Sequence, residues 1–263
     1  MPLVNVGAQT LSYVSRGGRA RPTVVFIHGA GGSHLVWGSQ LAYVASSWRA
    51  IAPDLPGHGR SGGPGRDSIA DYAQVVVSFL DALRLGPVVV VGHSMGGAIA
   101  LSLALDAPER VAGLVLVGTG ARLRVAPAML DAIRTDFSAA VGLVGQFAFG
   151  PEPAGRLVRL SELAMCQAGQ RTVYGDFAAC DAFDVRSRLQ EIVAPALVLT
   201  GSEDRLTPPR YAEYLASGIC GASLKIVEGA GHMVMLEAAA AVNQAIGGFL
   251  ESLPERKASV PAR

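Results

Sequence analysis

Lysine is almost missing from this 263-residue chain. Only Lys225 and Lys257 occur, and arginine carries the rest of the positive charge. We read this as a compositional bias with no functional content. Charged residues make up only 16% of the chain and the formal net charge is +1. That lacks the basic surplus a nucleic-acid backbone demands, so nucleic acid is not an expected partner. Cysteine is scarce too. Cys166, Cys180 and Cys220 show no C-x-x-C spacing, which argues against a metal site and a disulfide framework and leaves only a single Cys166–Cys180 bridge open. No apolar run reaches the length of a membrane span, since the longest is interrupted at His93 and Ser94. The segment Met1–Gly7 has neither a basic stretch nor an apolar core, so no signal peptide is expected and the cytoplasm is the expected location. Half of the residues are hydrophobic. A chain of this size and composition forms a globular core in one large domain, or in one domain with an insertion.

Strand-like and helix-like segments alternate along most of the chain. Two short alternating runs around Gly7-Ala8, within Val4–Val14, predict a hairpin. Buried-strand runs follow at 23–27 and 48–53, a helical pattern at 69–85, and the four valines Val88–Val91. Further strands are expected at 113–118, 196–200 and 223–227, with a closing helix over 238–250. Continuous apolar strands between helices predict a mostly parallel sheet covered on both faces. Ligands of such sheets bind beyond the carboxyl ends of the strands.

One stretch breaks the alternation. Residues 121–189 hold no strand pattern but three helical ones, at 128–137, 139–149 and 154–168, punctuated by Pro127, Pro151 and Pro153. The expected organisation is therefore a core of residues 1–120 and 190–263, with residues 121–189 inserted as a helical lid. Five of the eight phenylalanines fall in the insertion: Phe137, Phe147, Phe149, Phe177 and Phe183. Some must build its own core. Phe137, Phe147 and Phe177 are candidates for the wall of an apolar substrate pocket. The tail after Leu253 is expected to fray.

The chemistry centres on Gly92-His93-Ser94-Met95-Gly96. This G-x-S-x-G pattern lies between an apolar strand and a helical run, the context in which a sharp turn lifts a serine hydroxyl above the sheet edge. A serine hydroxyl needs a base to take its proton and an acid to orient that base. Of the five histidines, only His232 follows the serine, in Gly229-Ala230-Gly231-His232. The acid should sit after an intervening strand. Asp204 in Gly201-Ser202-Glu203-Asp204 fits, with Glu203 as its neighbouring alternative. A bland reading of Asp204 is an Asx turn ahead of Pro208-Pro209. Two backbone N–H groups should hold the oxyanion: that of Met95, at the start of a helix, and that of Ala30, in the loop His28-Gly29-Ala30-Gly31-Gly32.

Taken together with Asp54-Leu55-Pro56-Gly57-His58-Gly59-Arg60-Ser61, these segments make the chain resemble an α/β-hydrolase over nearly its whole length. The resemblance implies an eight-stranded sheet with a helical cap between strands six and seven. It also implies that Asp54, His58, His28 and His93 are scaffold residues. His34 and Trp37 are further candidates for the acyl pocket. Relatives that use aspartate at the elbow, the haloalkane dehalogenases and epoxide hydrolases, are disfavoured by Ser94. The chain looks more like small microbial carboxylesterases and 3-oxoadipate enol-lactonases. It is also similar to monoacylglycerol lipases, cofactor-free haloperoxidases and carbon–carbon bond hydrolases. The resemblance implies a small-molecule ester as substrate, no cofactor and no metal. Hydrolase-fold ligand receptors with little turnover are the alternative from outside enzymology.

Overall fold

The computed structural model describes residues 1–18 and 22–254, so the tail expected to fray lies, beyond Pro254, outside the described residues. Eight strands build one sheet: β1 (Leu3–Val6), β2 (Gln9–Arg16), β3 (Val24–Ile27), β4 (Ala50–Pro53), β5 (Val88–His93), β6 (Val111–Val117), β7 (Ala196–Gly201) and β8 (Ser223–Val227). Their order is β1-β2-β4-β3-β5-β6-β7-β8. β1 and β2 pair antiparallel at one edge, and the strands from β4 onward run parallel. The helices are α1 (Gly38–Val44), α2 (Ile69–Ala82), α3 (Met95–Asp106), α4 (Pro127–Thr135), α5 (Phe137–Ala148), α6 (Gly155–Ala182), α7 (Pro209–Gly218), α8 (Val234–Glu237) and α9 (Ala239–Ser252).

Alternation along each strand splits the core into two layers. Val25, Ile27, Val88 and Val90 face α2, α3 and α7, where Phe79, Ile99 and Leu215 are buried. Val24, Phe26, Val89 and Val91 face α1, α8 and α9, where Leu41, Val234 and Ile246 are buried. Because both faces are covered, the central strands read as unbroken apolar runs. Helix α3 fits this place: it is buried along almost its whole length and so is apolar all round. Its first turn lies so close to β3 that a Cβ on Gly96 would run into the backbone carbonyls of Ile27 and His28.

The register brings the strand ends level. Ile27 pairs with Gly92, His93 with Val117, Val117 with Leu199, and Gly201 with Val227. The loops that follow β3, β5, β6, β7 and β8 therefore emerge along one end of the sheet. Helices α4–α6 stand between β6 and β7. They have a small core of their own, around Ile133, Val141, Met165 and Val173.

The third inserted helix departs from the expected boundary at Ala168. The chain breaks helical geometry at Gly169 (φ 81°, ψ 158°), then resumes and continues to Ala182. Cys166 and Cys180 fall on either side of this break. Both are free thiols, Cys166 exposed and Cys180 buried, so the bridge left open by the sequence is not formed. Among the described residues, no helix is long and apolar enough to cross a membrane.

Candidate active site

Ser94 has φ 53° and ψ −118°, a backbone conformation that a residue with a Cβ adopts at a cost of roughly 1–3 kcal/mol. Its surroundings hold it there. Its N–H donates to the Val117 carbonyl at 3.0 Å, and its own carbonyl accepts from the Thr119 hydroxyl at 2.8 Å. The chain thus leaves β5 in a tight turn and enters α3 at Met95.

His232 lies in the loop after β8 and is buried, as is Asp204 in the loop after β7. The His232 Nδ1–H donates to Asp204 Oδ2 at 2.9 Å. Thr207 donates its hydroxyl to the same oxygen at 2.9 Å, while Asp204 Oδ1 accepts the N–H groups of Leu206 (2.9 Å) and Thr207 (2.8 Å). Asp204 thus closes an Asx turn through Oδ1 and pairs with His232 through Oδ2. Burial alone would raise this carboxyl. The charge and hydrogen bond of His232, with the Thr207 donors, outweigh that and hold it below its usual range. Glu203 is exposed and makes no contact with His232.

Two further histidines set the backbone of the site. His93 donates its Nε2–H to the His232 carbonyl at 3.0 Å, with the two rings 4.6 Å apart. His28 donates its Nδ1–H to the Gly29 carbonyl at 2.8 Å and accepts the Leu55 N–H on Nε2 at 3.0 Å. These are the bonds of neutral rings, each a donor on one nitrogen. Burial first and the neighbouring His58 second lower His28 from 6.5 to about 4. Burial first and His232 second lower His93 to about 3.

A pH dependence of stability follows. In the unfolded chain both rings take up a proton near pH 6.5, whereas the native rings do so only near 4 and 3. Their contribution is complete above pH 6.5 and is lost as the pH falls through the native values. His58 has the opposite sign. Burial opposes its charge, but Asp176 raises its pKa overall, so its contribution is complete below 6.5 and is lost as the pH rises through the raised value. The urea midpoint is expected to fall between pH 6.5 and 4 with a slope of about two protons. A midpoint flat over that window would contradict the neutral assignment.

Ser94, His93 and His232 line a cavity of about 410 Å³, together with Gly29, Ala30 and Gly31 from the loop after β3. The N–H groups of Ala30 and Met95 have no acceptor among the described residues. Most of the remaining wall is apolar: Leu35, Val36, Leu123, Met129, Val144 and Leu157 contribute to it. Among the described residues, no group of three or more His, Cys, Asp or Glu is placed to hold a metal ion.

Of the aromatic candidates, Phe177 lines the cavity. Four others from the sequence do not. His34 is drawn away by Asp54, whose Oδ1 accepts both its N–H (2.9 Å) and its Nδ1–H (2.8 Å). Trp37 lies on the inner side of the short turn 34–37 and is fully buried, with its ring 5.2 Å from Phe26. Its neighbours Leu35 and Val36 face the cavity instead. Phe137 packs on the small core of the inserted helices. Phe147 is turned outward beneath the Arg205 guanidinium, 5.0 Å from its ring centroid.

Two residues near the site escaped the sequence reading. Glu237 accepts the Gly150 N–H (2.8 Å) and the Gly231 N–H (3.0 Å), tying the end of the α5 segment to the His232 loop. Burial raises its carboxyl against those two donors. Asp176, fully buried on α6, accepts from Gly31, His58 and Tyr72. No motif signals either one. Their partners are backbone groups or distant side chains, visible only once the chain is folded.

The Alpha/beta hydrolase family model matches residues 24–245. Over 243 residues the chain is 32% identical to the pimeloyl-[acyl-carrier protein] methyl ester esterase of Neisseria meningitidis serogroup B, covering 87% of this chain and 92% of that one. A solved thermophilic esterase is 34% identical with a TM-score of 0.84, over 96% of this chain and 97% of its own. The enol-lactonase from Burkholderia xenovorans LB400 is 26% identical with a TM-score of 0.89, over 95% and 100%.

Proposed function

Because the chain belongs to the α/β-hydrolase family, we propose that it is a serine hydrolase cleaving carboxylic esters of short to medium, apolar acyl groups through an acyl-enzyme on Ser94. The observation that carries this reading is the shared cavity. A serine on a left-handed turn and a histidine paired with a buried carboxylate open onto one apolar space. In the first half-reaction the Ser94 Oγ attacks the ester carbon and His232 Nε2 takes its proton. The N–H groups of Ala30 and Met95 hold the oxyanion, each donor being worth about 3–4 kcal/mol of barrier. The tetrahedral intermediate expels the alcohol, which leaves with the proton from His232. Water then repeats the sequence on the acyl-enzyme and frees the acid. Asp204 keeps the proton on Nδ1, so that Nε2 is the basic nitrogen. The helices over residues 127–182 act as the cap that selects the acyl group.

The likeness to an enol-lactonase supports a second reading, in which the ester is cyclic. The chemistry at Ser94 is then the same, but the alcohol stays attached to the acyl chain. A panel of p-nitrophenyl esters, lactones and monoacylglycerols of graded chain length separates the two. The highest kcat/KM is expected for uncharged esters of short or medium acyl length. A preference for lactones would move the assignment to the second reading. One covalent event without sustained turnover would favour a receptor. A protein that neither turns over any of these nor reacts with a fluorophosphonate is no serine hydrolase.

A further inference from the structure

Helix α6 does two different things on the two sides of Gly169. Its first part contributes Leu157, Leu160, Ser161 and Met165 to the cavity wall. Its second part adds Phe177 and Cys180 to that wall but is otherwise seated on the core. Thr172 packs against Gly57 and Gly65 so closely that neither glycine has room for a Cβ, and Gly175 lies against the Arg66 carbonyl.

Between those contacts sits the Asp176 carboxylate, with no exposed surface. Oδ2 accepts the Gly31 N–H and the His58 Nε2–H, each at 2.8 Å, and Oδ1 accepts the Tyr72 hydroxyl at 2.6 Å. All three partners donate, which is the environment of an ionised carboxylate. The other ring nitrogen of His58 lies 2.9 Å from the Pro56 carbonyl, which can only accept. Both nitrogens of His58 therefore carry hydrogen, and His58 and Asp176 form a buried ion pair between the core and the inserted helix.

That pair is joined to the Ala30 peptide by two routes. Gly31, at φ 62°, follows Ala30 directly, and its N–H is held by Asp176 itself. The peptide plane on the other side of Ala30 is held through the Gly29 carbonyl, which accepts from the Gly32 N–H (3.1 Å) and from His28 Nδ1–H (2.8 Å). In a trans peptide the N–H points opposite to the carbonyl, so fixing the Gly29 oxygen fixes the direction of the Ala30 N–H. The His28 ring lies 4.8 Å from the ring of His58, whose charge favours the neutral form of His28 that makes this bond.

We propose that Asp176 is a positioning residue for the oxyanion hole: carried by the inserted helix, it fixes the Ala30 peptide, so that the hole is assembled only while the second part of α6 is seated. The proposal rests on the reading of Ala30 as an oxyanion donor to a Ser94 ester hydrolase. It makes the cap part of the catalytic apparatus as well as a wall around the acyl group.

The test compares wild type with Asp176→Asn and His58→Gln on p-nitrophenyl butyrate, with phenylboronic acid as the tetrahedral mimic. A small misplacement at a distance from the reacting atoms can cost on the order of 100-fold. Asp176→Asn is expected to lower kcat by about 10- to 100-fold, to weaken phenylboronic acid by a similar factor, and to change KM by less than about threefold. His58→Gln, which leaves the Asp176–Gly31 bond in place, is expected to show the same pattern at smaller size. A folded Asp176→Asn protein with wild-type kcat and boronate affinity overturns the proposal, however much its thermal stability has dropped. Should that variant fail to fold, His58→Gln decides. Unchanged kcat and boronate affinity in folded His58→Gln then overturn the proposal. Failure of the underlying hydrolase reading looks different, because the wild type itself would then show neither turnover nor fluorophosphonate labelling.

Discussion

Alanine in place of Ser94 is expected to lower kcat for p-nitrophenyl butyrate by about 10⁴- to 10⁶-fold and to abolish labelling by a fluorophosphonate. The loss should be chemical and not structural. The contacts that hold residue 94 in place run through its backbone, to Val117 and Thr119, and an alanine keeps them. Both side chains carry a Cβ, so the cost of the left-handed conformation is the same for each. Thermal stability should therefore stay within a few degrees of wild type, and the KM of residual substrate binding should change little. A variant that keeps more than a hundredth of the wild-type kcat would remove Ser94 from the role of nucleophile. Where activity falls as expected, the remaining rate over water would report on the Ala30 and Met95 donors together with substrate binding.

Substitution of Asp204 by asparagine should cost about 10⁴-fold in kcat. The amide keeps an oxygen for the Leu206 and Thr207 N–H groups, so the loop has no cause to unfold. It places an NH₂ group opposite His232 Nδ1, however, where a carboxylate oxygen now accepts. His232 would then carry its proton on Nε2 and could not take one from Ser94. Glu203→Gln is the paired control. Its side chain is exposed and is approached by the Ser202 hydroxyl at 3.5 Å, so kcat should stay within about twofold. The reverse outcome, collapse with Glu203→Gln and activity with Asp204→Asn, would exchange the two assignments.

The parts of the molecule that were legible in the sequence share a local signature. β5 and β6 are buried on both faces and so appear as unbroken apolar runs. The turn at Ser94 needs small residues at fixed offsets and so leaves a pattern within five positions. The less legible parts depend on tertiary placement. Helix α7 buries only Ala212 and Leu215, too narrow a stripe to stand out in a polar segment. The second part of α6 buries Val173, Asp176, Ala179 and Cys180, which is helical spacing. An aspartate within that stripe reads as a polar interruption, because nothing local reveals the His58, Tyr72 and Gly31 donors that make its burial tolerable. The aromatic candidates that turn away from the cavity do so for a related reason. Trp37 is two residues from Leu35 along the chain but turns toward Phe26, and Phe147 turns outward to Arg205. Composition locates an apolar pocket in a segment without saying which way each ring turns.

The break at Gly169 gives the molecule a natural seam. Upstream of it, Leu157, Leu160, Ser161 and Met165 line the cavity. Downstream, the helix is clamped through Asp176 and Thr172 to the loops after β3 and β4. A segment swap within residues 155–168 that keeps Met165, which packs against Gly31, would therefore remodel the cavity wall while leaving the Asp176 contacts in place. A swap reaching past Gly169 would exchange part of the cavity wall and the Asp176 support of the loop after β3 together. For anyone recruiting this scaffold to a new ester, Gly169 marks where the variable region should stop.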